Sequence, residues 1–125
     1  MSVKFGLTLA VLTMLGTAQA FAQADCQAPV PPATPDGHTA NQQQILAAVT
    51  DAKNYISQSD VYQQCLLDYV AAQKKQATED KKTFDSYIET TAQKKIDDNQ
   101  KTKIKIGSEI NAAVSNFKMA HPNPN

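Results

Sequence analysis

TANQQQILAAVTDAKNYISQSDVYQQCLLDYV, Thr39 to Val70, decides the fold. Ile45, Ala48, Val49, Ala52, Tyr55, Ile56, Ser59, Tyr62, Leu66, Tyr69 and Val70 recur at three- and four-residue spacing, which is one stripe of an α-helix. Neither proline nor glycine occurs between Thr39 and Ile106, so nothing in that span breaks a helix. Thr39 reads as an N-cap, and Gln42 stands three residues on, at capping-box spacing. Tyr55, Tyr62 and Tyr69 are seven residues apart and share a face. The stripe is narrow and the remaining faces are Gln, Asn, Asp and Lys. Such a helix must bury its stripe against another helix.

Downstream the pattern weakens. Phe84, Ile88 and Ala92 form a short stripe, and Ile106, Ile110, Ala113, Val114 and Phe117 form a final one, with Pro122 and Pro124 beyond it. Polar runs at 74–82 and 97–103 separate these stripes. The chain turns back either at 76–82 or at 97–103. Neither run contains Gly or Pro, and Asp98-Asn99 is the better turn chemistry, which favours the later point. Gly107 then either costs the last helix ~1 kcal/mol relative to Ala or marks its start. The expected class is all-α, an elongated coiled-coil-like hairpin of two or three helices over residues 39–119, with a tail at 120–125.

Upstream, residues 23–38 read as an extended arm. Pro29, Pro31, Pro32 and Pro35 lack backbone donors and favour polyproline II, and Asp36-Gly37 signals a turn. Residues 1–22 read as a signal peptide: Lys4 in a short n-region, an apolar run from Phe5 to Gly16, then small residues that permit cleavage after Ala20, Ala22 or Ala24. The apolar run is shorter than the ~20 residues that span a bilayer, so no transmembrane segment is expected in the mature chain. An uncleaved anchor, or lipid on Cys26, are the other readings of this region. The expected location is exported, periplasmic or secreted.

Export gives the two cysteines their meaning. Cys26 and Cys65 are the only pair, and an oxidising compartment favours one intramolecular disulfide over an intermolecular bridge or free thiols. Lengths agree with it. Cys26 to Thr39 is 13 residues, ~40 Å at the polyproline II rise of ~3.1 Å. Thr39 to Cys65 is 26 residues of helix, ~39 Å at ~1.5 Å each. A helical arm would reach only about half that distance. An extended arm that reverses at Asp36-Gly37 can lie along the helix and cover part of the tyrosine stripe.

The pattern Cys26-x-x-Pro29-x-x-Pro32-x-x-Pro35-Asp36-Gly37-x-Thr39-Ala40, with Tyr62-x-x-Cys65-Leu66 following, resembles a group of small exported proteobacterial proteins that carry a signal peptide, a Cys-Pro-rich arm and a Tyr-x-x-Cys-Leu helix. Their late helix is similar to Asn111-Ala112-Ala113-Val114-Ser115-Asn116-Phe117-Lys118. The resemblance implies a disulfide-stapled helical protein of the bacterial envelope. It implies no activity, catalytic residue or ligand.

Chemistry-bearing groups are sparse. His38 and His121 are the only histidines and lie at opposite ends of the mature chain, a poor basis for a metal site, so neither metal nor cofactor is expected. Asp97-Asp98 are adjacent and diverge on a helix, which suits a solvated face better than acid–base catalysis. No nucleophile motif or phosphate-binding glycine loop occurs, so no catalytic residue is assigned and no enzyme is expected. The positive charge is all Lys, and it balances the acids (12 against 12), which argues against nucleic acid. The pairs Lys74-Lys75, Lys81-Lys82 and Lys94-Lys95 are interleaved with Glu79, Asp80, Asp85 and Glu89 and read as ion-paired helix surface. Tyr55, Tyr62, Leu66 and Tyr69 are the candidate seam or partner surface, since tyrosine joins apolar area to a polar tip. The expected role is a non-enzymatic envelope module that binds a protein partner or itself. The alternative is a small periplasmic chaperone or stress protein that exposes apolar surface on acid or redox loosening.

Overall fold

The computed structural model describes residues 25–122; the signal-peptide reading and the last residues of the tail fall outside them. Two antiparallel helices follow the arm: α1, Gln42–Glu79, and α2, Ser86–Ala120. No strand occurs among the described residues. At ~1.5 Å per residue the helices run ~57 Å and ~52 Å, so the molecule is a long hairpin with a thin interior.

α1 starts two residues later than Thr39 as cap predicts. Asn41 is the N-cap: its Oδ1 accepts from the Gln44 amide at 2.9 Å, and Gln44 Oε1 accepts from the Asn41 amide at 2.8 Å. The amides of Thr39 and Ala40 instead donate to the Asp36 carbonyl, and the His38 amide donates to Asp36 Oδ1. The turn at Asp36-Gly37 thus consumes Thr39, and Asn, at least as good a cap as Thr, takes over.

The chain reverses at 80–85, overlapping the earlier of the two candidate points, 76–82; the favoured later one, 97–103, is helix interior. Lys81 supplies the reversal with φ 53°. Its amide donates to Thr78 O and that of Lys82 to Ala77 O, the double bond of a Schellman stop made with lysine where glycine is usual. Asp85 then caps α2, accepting from the Tyr87 amide at 2.9 Å. Residues 97–103 stay helical because Asn99 faces the partner helix. Ala92, Asn99, Ile106 and Ala113, all buried, recur at seven-residue spacing. Gly107 lies inside α2 and does not start it.

Buried positions of α1 are Ile45, Ala48, Ala52, Tyr55, Ser59, Tyr62, Leu66 and Val70. From Ile45 to Leu66 the steps alternate between three and four, the knobs-into-holes spacing of paired helices. The interior splits into three apolar clusters. Ala40, Ile45 and Ala113 close the open end; Ala48, Ala52, Tyr55, Ile106 and Ile110 fill the middle; Tyr62, Leu66, Val70 and Ala92 lie toward the turn. A polar layer divides the last two. Asn99 Nδ2 donates to Ser59 Oγ at 3.2 Å and reaches Tyr55 Oη at 3.5 Å, while Gln63 Nε2 donates to Asn99 Oδ1 at 2.8 Å. Ion pairs Lys103–Asp60 and Lys74–Glu89 bridge the helices outside the core.

Candidate functional site

The arm lies against one flank of the hairpin. Cys26 and Cys65 are joined, with Cα atoms 5.8 Å apart across a sequence separation of 39. At the other end Gly37 is buried against α2. A Cβ built on it would stand 2.0 Å from the Ala113 carbonyl oxygen and 2.9 Å from Asn116 Cβ, so only glycine permits this approach. Between these anchors Pro29, Pro32, Thr34 and Pro35 are half-buried, and Gln27, Ala28, Val30, Pro31 and Ala33 are exposed. Cys26, Pro29, Pro32 and Pro35 recur every third residue, as along a polyproline II chain laid on a surface, and Thr34 adds a contact outside that period.

The four seam candidates have different fates. Tyr55 belongs to the middle cluster, and Tyr62 and Leu66 to the cluster toward the turn, on which Cys26 packs. These three are hairpin interior. Burial pushes the Tyr62 phenol above its ordinary pKa by disfavouring the phenolate. Tyr69 is half-buried and opens on a groove of about 280 Å³ beyond the disulfide. Leu66 and Tyr69 of α1 and Tyr87, Ile88, Thr91, Ala92 and Lys95 of α2 line it. Tyr87 is 73% exposed. Its place opposite Tyr69 follows from the turn at 80–85, and a turn at 97–103 would have put it on the same long helix as Tyr69. The signal was present in the Phe84, Ile88, Ala92 stripe beside it.

The remaining polar groups do not converge. His38 is exposed in the turn, and His121 stacks on Phe117 at 4.3 Å and hydrogen-bonds the Phe117 carbonyl through Nδ1. Both cysteines are oxidised, and among the described residues no three His, Cys, Asp or Glu side chains are grouped to hold a metal ion. Asp97 accepts from Gln93, and Asp98 pairs with Lys94 at 2.6 Å, both on the exposed face of α2. The Lys94 hydrogen bond holds the Asp98 carboxyl below its usual range, and the same bond raises Lys94. Lys75 pairs with Glu79 and Lys74 with Glu89, so the lysine pairs form no continuous basic strip. No helix among the described residues is long and apolar enough to cross a membrane. No protein family, curated protein or solved structure matches the chain.

Proposed function

We propose that the chain is an exported, non-enzymatic module of the bacterial envelope that acts by holding a protein partner on its hairpin. One observation carries this reading: among the described residues, two tyrosines from opposite helices, Tyr69 and Tyr87, line one groove, with Tyr87 largely exposed. Aromatic residues with an apolar body and a polar tip are the side chains that interfaces favour. The disulfide supports an oxidising compartment.

The test is photo-crosslinking in intact cells, with a photoreactive amino acid placed in turn at Tyr87 and at surface positions around both helices. The reading expects a discrete protein adduct from at least one position. Absence of adducts from all positions, with a strictly monomeric species at high concentration, would remove it. Mass analysis of the mature chain with and without reductant tests export and the intramolecular bridge together.

The chaperone reading has its own support. Cys26 seals the cluster containing Tyr62 and Leu66, so opening the disulfide would free the arm that covers them. It requires that the reduced or acidified protein suppress aggregation of a denatured client. Lack of suppression in either state eliminates it.

A further inference from the structure

The arm is fixed at two points and held by little between them. Among the described residues no hydrogen bond joins residues 25–35 to either helix; the contact from Gln27 to Asp25 stays within the arm. Its attachments are the Cys26–Cys65 bond, the partial burial of Pro29, Pro32, Thr34 and Pro35, and the turn at Asp36-Gly37. That turn is secured by itself: Asp36 O accepts from the Thr39 and Ala40 amides, and Gly37 is buried against Ala113. The hairpin also closes without the arm. Asn41 and Asp85 cap its helices, and Lys103–Asp60, Lys74–Glu89 and the Asn99 layer tie them together. The bond is therefore what fixes the arm's outer end, and Gly37 is an anchor that does not depend on it.

The bond is within reach of a reagent. Both cysteines are half-buried and line an open groove of about 550 Å³, with Ser57 and Val61 of α1 and Val30 of the arm. This groove lies on the side of the bond that faces back toward Gly37. Val30 and Val61 are 86% and 68% exposed, so its mouth is wide. A thiolate must approach one of the two sulfurs, so access decides whether a disulfide opens in the folded chain or only after unfolding.

The surface under the arm's outer end adjoins the candidate partner groove. Cys26 packs on the cluster of Tyr62, Leu66, Val70 and Ala92, and Leu66 and Ala92 also line the groove of Tyr69 and Tyr87. Lifting Cys26 would bare Leu66 and Tyr62 beside that groove.

We propose that Cys26–Cys65 is a redox-released clasp: a dithiol opens it in the folded chain, the arm swings away about Gly37, and the partner groove gains the surface of Tyr62 and Leu66. The proposal rests on the binding-module reading and adds regulation to its site. In the oxidising compartment expected from the sequence, the closed form is the resting one. One thiolate of the dithiol attacks either sulfur and forms a mixed disulfide, expelling the other cysteine as a thiolate, which takes up a proton. The dithiol's second thiolate then displaces the remaining cysteine. The dithiol leaves as a disulfide, and two electrons and two protons rest on Cys26 and Cys65.

The experiment treats the oxidised full chain with dithiothreitol at several urea concentrations below the unfolding transition. The reduction rate should rise with dithiothreitol, and its urea dependence should be less than about half that of global unfolding, because only the arm has to move. The reduced chain should keep its helical circular dichroism. In its NMR spectrum residues 26–34 should take unstructured amide shifts, Gly37 should stay near its oxidised position, and Tyr62, Leu66 and Ala92 should move. In cells, a photoreactive residue at Tyr87 should give more adduct in the Cys26→Ser, Cys65→Ser chain than in the parent. Reduction as urea-sensitive as global unfolding, loss of the helical signal, or arm amides that stay in place overturns the proposal. So does release of Gly37 with the rest of the arm, or an adduct of equal yield in the two chains. No adduct in either chain, beside native-state release of the arm, rejects the module reading and leaves the clasp standing.

Discussion

Asn99 Nδ2 donates to Ser59 Oγ at 3.2 Å, joining the two helices in the middle of the hairpin. Ser59 is fully buried, and Asn99 also accepts from Gln63. A one-residue slip between helices would strand these groups without partners. The layer is therefore expected to fix register, as a single buried Asn does in paired helices, at some expense in stability. Asn99→Ala should destabilise by about 1–3 kcal/mol in urea unfolding, because Ser59 and Gln63 lose their partner. Asn99→Leu combined with Ser59→Ala should recover much of that loss while multiplying the NMR signals of the seam. A double variant with one well-dispersed signal set would show that the layer does not specify register.

Two glycines should respond in opposite directions. Gly37→Ala places a methyl 2.0 Å from the Ala113 carbonyl oxygen, which is backbone and has little room to yield. The expected loss is about 1–3 kcal/mol, with release of the arm's anchor. Gly107→Ala meets nothing within 4 Å and sits inside α2, so it should gain ~1 kcal/mol from helix propensity. Thermal melts of the two variants check both signs.

Lys81 turns the chain at φ 53°, a conformation that costs a non-glycine residue. Lys81→Gly should raise stability by about 1 kcal/mol, with no change in the hairpin's spectrum. If the variant melts below the parent, the lysine side chain contributes something its exposed position does not reveal.

That lysine also explains where the sequence was hardest to read. The helical stripe from Ile45 to Val70 and the extended arm were legible because periodicity and proline act locally. The reversal was not, because its usual glycine is absent and Lys81 resembles its polar neighbours. Asp98-Asn99 pulled the expected turn to 97–103, since Asn is good turn chemistry in isolation. What keeps that segment helical is a contact 40 residues away, Asn99 with Ser59. The candidate surface shifted for the same reason: Tyr55, Tyr62 and Leu66 were visible as a stripe, but Tyr87 joins Tyr69 only once the turn is placed at 80–85. No periodicity over one helix contains that pairing.

The Cys26–Cys65 bond closes a loop with a sequence separation of 39. On the chain-entropy treatment such a closure stabilises by about 4 kcal/mol, large for so thin an interior. Cys26→Ser with Cys65→Ser should lower the unfolding midpoint by a matching amount and raise the reactivity of Tyr62 toward ring-modifying reagents. Unchanged Tyr62 reactivity would mean that the prolines, without the bond, suffice to hold the arm in place.

Tyr62 gives a pH test of the same packing. Desolvation raises its phenol pKa in the folded state above the ordinary value of 10.0. A raised folded pKa means that the folded state holds the proton more tightly than the unfolded chain does. The stability this represents is complete below pH ~10, and it is lost as pH rises through the folded pKa. Lys94 is shifted in the same direction by Asp98, but that pair is on the surface, so moderate salt should screen its contribution. In salt, urea midpoints of the parent should fall more steeply above pH ~10 than those of Tyr62→Phe, and the two should run parallel below it. Reduction of the disulfide should bring the parent's alkaline slope toward that of Tyr62→Phe, because freeing the arm hydrates the phenol. Identical slopes in the oxidised parent and Tyr62→Phe would mean that the ring is already wet beneath the arm, and the arm would then be no cover for the seam.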